Sequence, residues 1–315
     1  MANYEIDLHA HTTRSDGNDT PAELLEHAAA HGLKVVAITD HDVLPPDEIE
    51  SQDGRVSLAA YAASLGIGVL RGIEVSCDTQ VDDVHIVGFG CDWRSPAMRG
   101  LPEQAVASKT QAYRVLVERL RAAGMTALNW DDLLEGGKRA AEEIQKKQIF
   151  ELIAGKGYAP SWQAAKIMVR DNPAYDVKRE KPDPVKTVRA IHAAGGIAIL
   201  AHPYLIDETV SLEGETVSRD TYIRALIAAG LDGIETRYTY DKTSYKGALS
   251  PDAIRLEVEA RYGQAVPLLS GGSDYHADHK KGVANARQLG DAGVPLDYFL
   301  RHPTLLTLCE GARPR

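Results

Sequence analysis

The chain has 315 residues and 34.2 kDa, with 25% charged and 44% hydrophobic residues, ordinary values for a globular protein with a real core. Its 35 basic against 45 acidic side chains leave a net charge of −10, which excludes the broad basic face needed to bind a nucleic-acid backbone unselectively. The three cysteines, Cys77, Cys91 and Cys309, form no Cys-x-x-Cys pair, and the start MANYEIDLHAH has no apolar signal core, so a disulfide scaffold, a zinc ribbon and a membrane span are not expected and the cytoplasm is.

Short apolar runs alternate with amphipathic helical stretches. Tyr4–Leu8 reads as a first strand that runs into His9 and His11. Thr20-Pro21-Ala22-Glu23 then supplies an N-cap, a proline at the first helical position and a capping-box glutamate, and Gly32 is a fitting stop. Val35–Thr39 is a second strand leading to Asp40 and His41, Gly68–Val75 a third that carries Glu74, and Val84–Gly90 a fourth that has His85 near its start. Between about Trp93 and Pro184 the pattern changes to helix after helix, with Glu103–Ala123, Ala140–Gly155 and Ser161–Arg170 as the main ones. This predicts a helical insertion, 95–183, within a β/α domain made of 1–94 and 184–315. Strands resume at Ile197–Ala201 before His202, at Leu231–Glu235, at Pro267–Ser270 before Asp274 and His276, and at Leu305–Leu308; Ser250-Pro251-Asp252 opens a helix between two of them. Strands of this length alternating with helices imply parallel units, hence a barrel or a doubly wound sheet.

The polar residues gather at strand ends. Of the 11 histidines, those at 9, 11, 41, 85, 202 and 276 all fall there, whereas His27, His31 and His192 lie within helical stretches and read as surface or packing residues. Strand C-termini share one face of a β/α barrel, so residues distant in sequence converge on it. His9 and His11, two apart on an extended segment, point the same way and can hold one metal. Glu74 ends an apolar strand, a costly place for an unpaired carboxylate. Asp274 follows the tight Gly271-Gly272-Ser273 loop. Asp7 and Asp40 precede ligand candidates and are expected to orient imidazoles or to act as caps.

The segments DLHAHTTRSDG at 7–17, ITDHD at 38–42, GIEVS at 72–76, HIVGFG at 85–90, AHP at 201–203 and GGSDYHAD at 271–278 resemble, in order, the motifs of the PHP (polymerase and histidinol phosphatase) metal-dependent phosphoesterases. The resemblance implies a distorted (β/α)7 TIM-like barrel with a helical insertion domain and two to three divalent metal ions, Mn, Fe or Zn. One ion would take His9, His11, Glu74 and Asp274. A second would share Glu74 and add His85 and His202, and a third would take Asp16, His41 and His276. The implied chemistry is attack on a phosphate ester by a metal-bridging hydroxide held by Glu74, with Asp274 and His202. Asp16 stands where some members have histidine, as in the nucleotide-phosphatase-like branch.

The expected substrate is a small nucleotide or sugar phosphate, with a nucleoside 3′,5′-bisphosphate or a cyclic phosphate favoured. Its remaining charge would be met by Arg14, Lys146, Lys147, Arg237 and Lys242, with Arg237 the leading candidate because it lies just past a strand end. The insertion would act as a lid. A 5′–3′ exonuclease on short 5′-phosphorylated oligonucleotides, a histidinol-phosphate phosphatase and a non-catalytic metal-binding module are the alternatives. An amidohydrolase also begins with His-x-His, but the matching strands here supply Glu74 and no bridging lysine.

Overall fold

The computed structural model describes residues 3–52 and 54–314. The chain divides into two compact units, one formed by Met1–Pro102 and Pro182–Arg315, the other by Glu103–Lys181.

The first unit is built on seven strands: β1 (Ile6–Asp7), β2 (Val35–Ile38), β3 (Gly68–Cys77), β4 (Val84–Phe89), β5 (Ile197–Leu200), β6 (Gly233–Arg237) and β7 (Leu268–Gly271). They pair in chain order around a nearly closed barrel. Pairing is parallel except at β4, which runs antiparallel to both β3 and β5. Leu8 N donates to Gly271 O at 3.2 Å and joins β1 to β7. The strands are apolar on both faces, as strands covered on both sides must be. In β2, Val35 and Ala37 pack in a cluster with Ile6, Leu70, Val87, Ile199 and Leu268, while Val36 and Ile38 pack with Leu24, Leu25 and Ala28. The latter three belong to α1 (Pro21–His31), whose predicted capping box is present in full and whose last turn ends on Gly32 in the left-handed conformation.

Two elements depart from the sequence reading. Leu305–Leu308 is not a strand; it lies in the helix Pro303–Leu308, with Pro303 at its first position, and the chain's last strand is Glu310–Gly311, paired antiparallel with β3. A four-residue apolar run has no period of its own, and the proline decides it. Two hairpins, Glu48–Ser51 with Gly54–Ser57 and Thr209–Leu212 with Glu215–Ser218, were not expected.

The second unit is helical and has its own core of Leu116, Leu120, Leu128, Ile149, Phe150, Ile153 and Val169 among others. Its first helix begins earlier than predicted, running Pro96–Ala122 straight through Pro102. The stretch expected as one helix over 140–155 is broken at Ile144, which is extended and fully buried: a 3-10 turn over Ala141–Glu143 precedes it and an α-helix over Lys146–Gly155 follows. Among the described residues no helix is long and apolar enough to cross a membrane.

Candidate metal centre

The chain after β1 stays extended and puts His9 and His11 on one side. Asp274 N donates to His9 O at 2.9 Å and His11 N to Tyr275 O at 2.8 Å, which sets the segment after β7 alongside them. Only glycine fits at 272, where a Cβ would lie 2.3 Å from the Cβ of His9. Asp274 and His202 have φ of 53° and 26°, in or beside the left-handed region that residues with a Cβ rarely adopt. Strain at those two positions aims both side chains inward.

Glu74, fully buried on β3, is the hub. Its Oε2 lies 3.1 Å from His9 Nε2, 3.1 Å from His11 Nε2 and 3.0 Å from His41 Nδ1. Its Oε1 lies 2.9 Å from His85 Nδ1 and 3.0 Å from His202 Nε2. Because β4 is antiparallel, His85 reaches this end of the barrel from the start of its strand. Asp274 Oδ1 is 3.1 Å from His11 Nε2 and 3.6 Å from His9 Nε2. Asp16 is more exposed, with Oδ1 3.1 Å from His276 Nε2. All nine expected ligands are therefore brought together.

Three sets of ligand atoms lie close enough to share an ion: His9, His11, Glu74 and Asp274; His41, Glu74 and His85; His11, Asp16, His41 and His276. The first matches the expected set. In the second His41 stands where His202 was expected, although His202 also faces Glu74, and the third gains His11. Divalent ions fit these residues on an observation independent of motif: among the described residues His11 Nδ1 and His202 Nδ1 are buried without a hydrogen-bond partner, and Glu74 Oε2 faces three imidazole nitrogens at 3.0–3.1 Å without a well-aligned hydrogen bond, a costly arrangement unless a cation joins them. His9 Nε2 and His11 Nε2 face each other at 3.1 Å, as two ligands of one ion would.

The electrostatics agree. Burial pushes the Glu74 carboxyl up, but His41, His9 and His85 outweigh it and hold the group well below the usual carboxylate range. Burial likewise opposes charge on His41, and Glu74 with Asp16 and Asp274 lifts it to about 9. The site is arranged to keep its carboxylates ionised.

The supporting contacts were only partly foreseen. Asp7 and Asp40 are caps and touch no imidazole. Asp7 accepts from the backbone N–H groups of His9, Ser273 and Gly290, and Asp40 from the backbone N–H of Thr12 and the hydroxyls of Thr12 and Ser15. Burial pushes the Asp7 carboxyl up to about 6 against those bonds. The residue that orients an imidazole is Glu235, on β6: its Oε1 lies 2.9 Å from His9 Nδ1, and its Oε2 accepts from His202 N at 2.7 Å. A sequence signal for it existed, since Glu235 ends an apolar strand just as Glu74 does. Tyr238 Oη and Arg287 Nη1 both donate to Asp274 Oδ2, at 2.7 and 2.6 Å, turning Oδ1 toward the histidines. Arg287 carried no signal, because nothing in its loop marks it from the sequence.

A cavity of about 290 Å3 opens over the cluster, lined by His41, His85, His202 and His276 together with Lys242 and Arg287. Of the cations expected to meet substrate, Lys242 lines this cavity while its Nζ bonds Asp291 at 2.7 Å. Arg14 is exposed, donates to Leu44 O and does not line it. Arg237 does not line it: its Nη2 pairs with Glu259 at 3.1 Å, on the helix Pro251–Tyr262, and it lines a different cavity with Tyr4, Lys242 and Arg255. The pairing of β6 with β7 shifts register between Glu235 and Arg237, so two residues that would share a face in a regular strand do not. Lys146 and Lys147 belong to the helical unit. Lys146 lines a cavity of about 240 Å3 with Lys109 and Arg179, and Lys147 Nζ lies 5.2 Å from the Trp162 ring centre.

Comparison with known proteins agrees with this geometry. Residues 7–160 match the model of the PHP domain. A 3′,5′-nucleoside bisphosphate phosphatase of Chromobacterium violaceum is 31% identical over 292 residues, 90% of each chain. A 5′–3′ exoribonuclease of Haemophilus influenzae is 32% identical over 202 residues, 63% of this chain and 69% of that one. Among solved structures, a Bifidobacterium adolescentis protein assigned as a metal-dependent phosphoesterase superposes with a TM-score of 0.63 at 25% identity, covering 96% of this chain and 95% of its own.

Proposed function

The chain belongs to the PHP family of metal-dependent phosphoesterases, and from that premise we propose that its substrate is a small nucleotide or sugar phosphate, with a nucleoside 3′,5′-bisphosphate or a cyclic phosphate favoured. The observation that carries the reading is the convergence of five imidazoles on the single buried carboxylate of Glu74. The relative that matches along 90% of both chains is named for such a substrate.

His9, His11, Glu74 and Asp274 would hold one divalent ion, Glu74 with His85 and His202 a second, and Asp16, His41 and His276 a third; mixed nitrogen and carboxylate donors suit Mn, Fe or Zn. When bound, such ions supply Lewis acidity, which makes water nucleophilic near neutral pH and neutralises phosphoryl oxygens. The chain's own residues do the rest. Glu235 holds the His9 ring by its Nδ1, leaving Nε2 to face the cluster. Tyr238 and Arg287 pin Asp274. Arg287 and Lys242 stand at the wall of the cavity, each bonded to a carboxylate, Asp274 and Asp291. We assign selection of the substrate to the helical unit Glu103–Lys181, which has a basic cavity of its own lined by Lys109, Lys146 and Arg179.

The test is phosphate release by the metal-supplemented protein from nucleoside 3′,5′-bisphosphates, cyclic phosphates, histidinol phosphate and 5′-phosphorylated oligonucleotides. The bisphosphate or the cyclic phosphate is expected to give the highest kcat/KM. Preference for the oligonucleotide would replace this reading with the exonuclease one, and no turnover of any would leave a metal-binding module. His9→Ala and Asp274→Asn are expected to lower bound metal by elemental analysis, and His192→Ala, whose ring pairs with Asp232 at 2.8 Å, is not.

A further inference from the structure

A second cavity, of about 320 Å3, adjoins the one over the metal cluster: Asp83, Leu205 and Ser244 line both. Its remaining wall carries Tyr204, Arg219 and Tyr245. Three tyrosines lead to it from the metal centre. The Tyr238 ring lies 5.1 Å from that of His202, Tyr240 lies 4.8 Å from Tyr238, and Tyr245 lies 5.3 Å from Tyr240. Tyr238 and Tyr240 are buried, and Tyr245, the last of the row, is half-buried at the cavity. Tyr204 is fixed by the Arg219 guanidinium, 3.9 Å from its ring centre, and Arg219 also donates to Ile206 O at 2.9 Å.

The charges of this wall say what it would hold. Asp83, Asp207 and Glu208 outnumber Arg219 and Lys246, and Arg219 is already engaged, so a second phosphate is disfavoured there. A neutral group with a flat face and hydrogen-bond donors is favoured. Asp83 forms no hydrogen bond or ion pair with any described residue, and it stands where the two cavities meet.

We infer that this side cavity is the nucleoside subsite: the phosphoryl group lies at the metal cluster, Asp83 and Ser244 accept from sugar hydroxyls at the junction, and the base lies against the Tyr245 ring. The inference rests on the phosphoesterase reading for the position of the phosphate, and it narrows the substrate to nucleotides over sugar phosphates. Every base has a face that can stack, so the subsite tolerates different bases.

The test separates this subsite from the reaction. Adenosine, which has no phosphate, is titrated into the metal-supplemented full-length protein by calorimetry, with Tyr245→Phe and Tyr245→Ala alongside. Binding that persists in Tyr245→Phe and weakens about tenfold in Tyr245→Ala is expected, in the range of one base–aromatic stack. Equal affinity in Tyr245→Ala, or no binding to the wild type, overturns the inference. In a second arm, phosphate release from AMP and ribose 5-phosphate is compared; Tyr245→Ala is expected to raise KM for AMP about tenfold more than for ribose 5-phosphate. Equal losses on both count against a base at Tyr245. Failure to release phosphate from any ester overturns the phosphoesterase reading, while the adenosine titration still decides the subsite.

Discussion

Glu235 shows how much one buried carboxylate can govern at the scale of a residue. It holds His9 Nδ1 and the backbone N–H of His202, and so orients one ligand of the first set and one beside the second. Outer partners of this kind are worth roughly 10–100-fold in metal affinity. Glu235→Gln is therefore expected to weaken divalent-metal binding by about that factor, measured by competition with a chromophoric chelator; unchanged affinity would mean the ring is held by packing alone. The cysteines illustrate the opposite case. Burial pushes the Cys91 thiol up to about 12 and the Cys309 thiol up to about 11, so little of either is thiolate at neutral pH. Native protein is expected to react slowly with an aromatic disulfide at both, with rapid modification only after denaturation. Fast native labelling of Cys91 would contradict its burial.

Among elements, α1 is the most completely specified locally. Thr20 Oγ1 accepts from Glu23 N, Glu23 accepts from Thr20 N at 2.7 Å, and Gly32 ends the helix. Loss of the cap in Thr20→Ala is expected to cost about 1 kcal/mol in denaturant unfolding without altering the metal content. The barrel strands were legible for a similar reason, since runs such as Val35–Ile38 are bounded by turn residues and are too short for buried helices. Direction was not legible. An apolar run is the same run either way along the barrel, and only pairing with β3 and β5 reveals β4 as antiparallel. Nor was the irregularity in β6, which separates Glu235 from Arg237 and sends the expected substrate-binding arginine to Glu259.

The molecule as a whole joins two units with separate cores. Replacing Glu103–Lys181 with a short flexible linker is thus expected to leave metal binding intact while lowering kcat/KM on the preferred substrate and flattening selectivity. Full retention of both would remove the helical unit from recognition. Because ions bound to the folded state alone stabilise it by mass action, chelator-treated protein is expected to melt below metal-supplemented protein, with Tm rising as Mn2+ is added. A Tm independent of metal would argue that the nine residues bind no ion in solution.

The sequence by itself determined a β/α domain with a helical insertion and polar residues gathered at strand ends, because strand period, caps and the placement of His, Asp and Glu are local properties of the chain; the barrel and the nine-residue set came from the resemblance of its motifs to the PHP family. The tertiary structure alone decided which groups support them. Glu235 meets His9 across 226 residues, and Arg287 meets Asp274 from a loop without a motif. Tyr245 comes to the side cavity at the end of a row of tyrosines. Such contacts depend on strand direction, register and loop path, and these are set by the packing of the whole barrel, not by any segment of it.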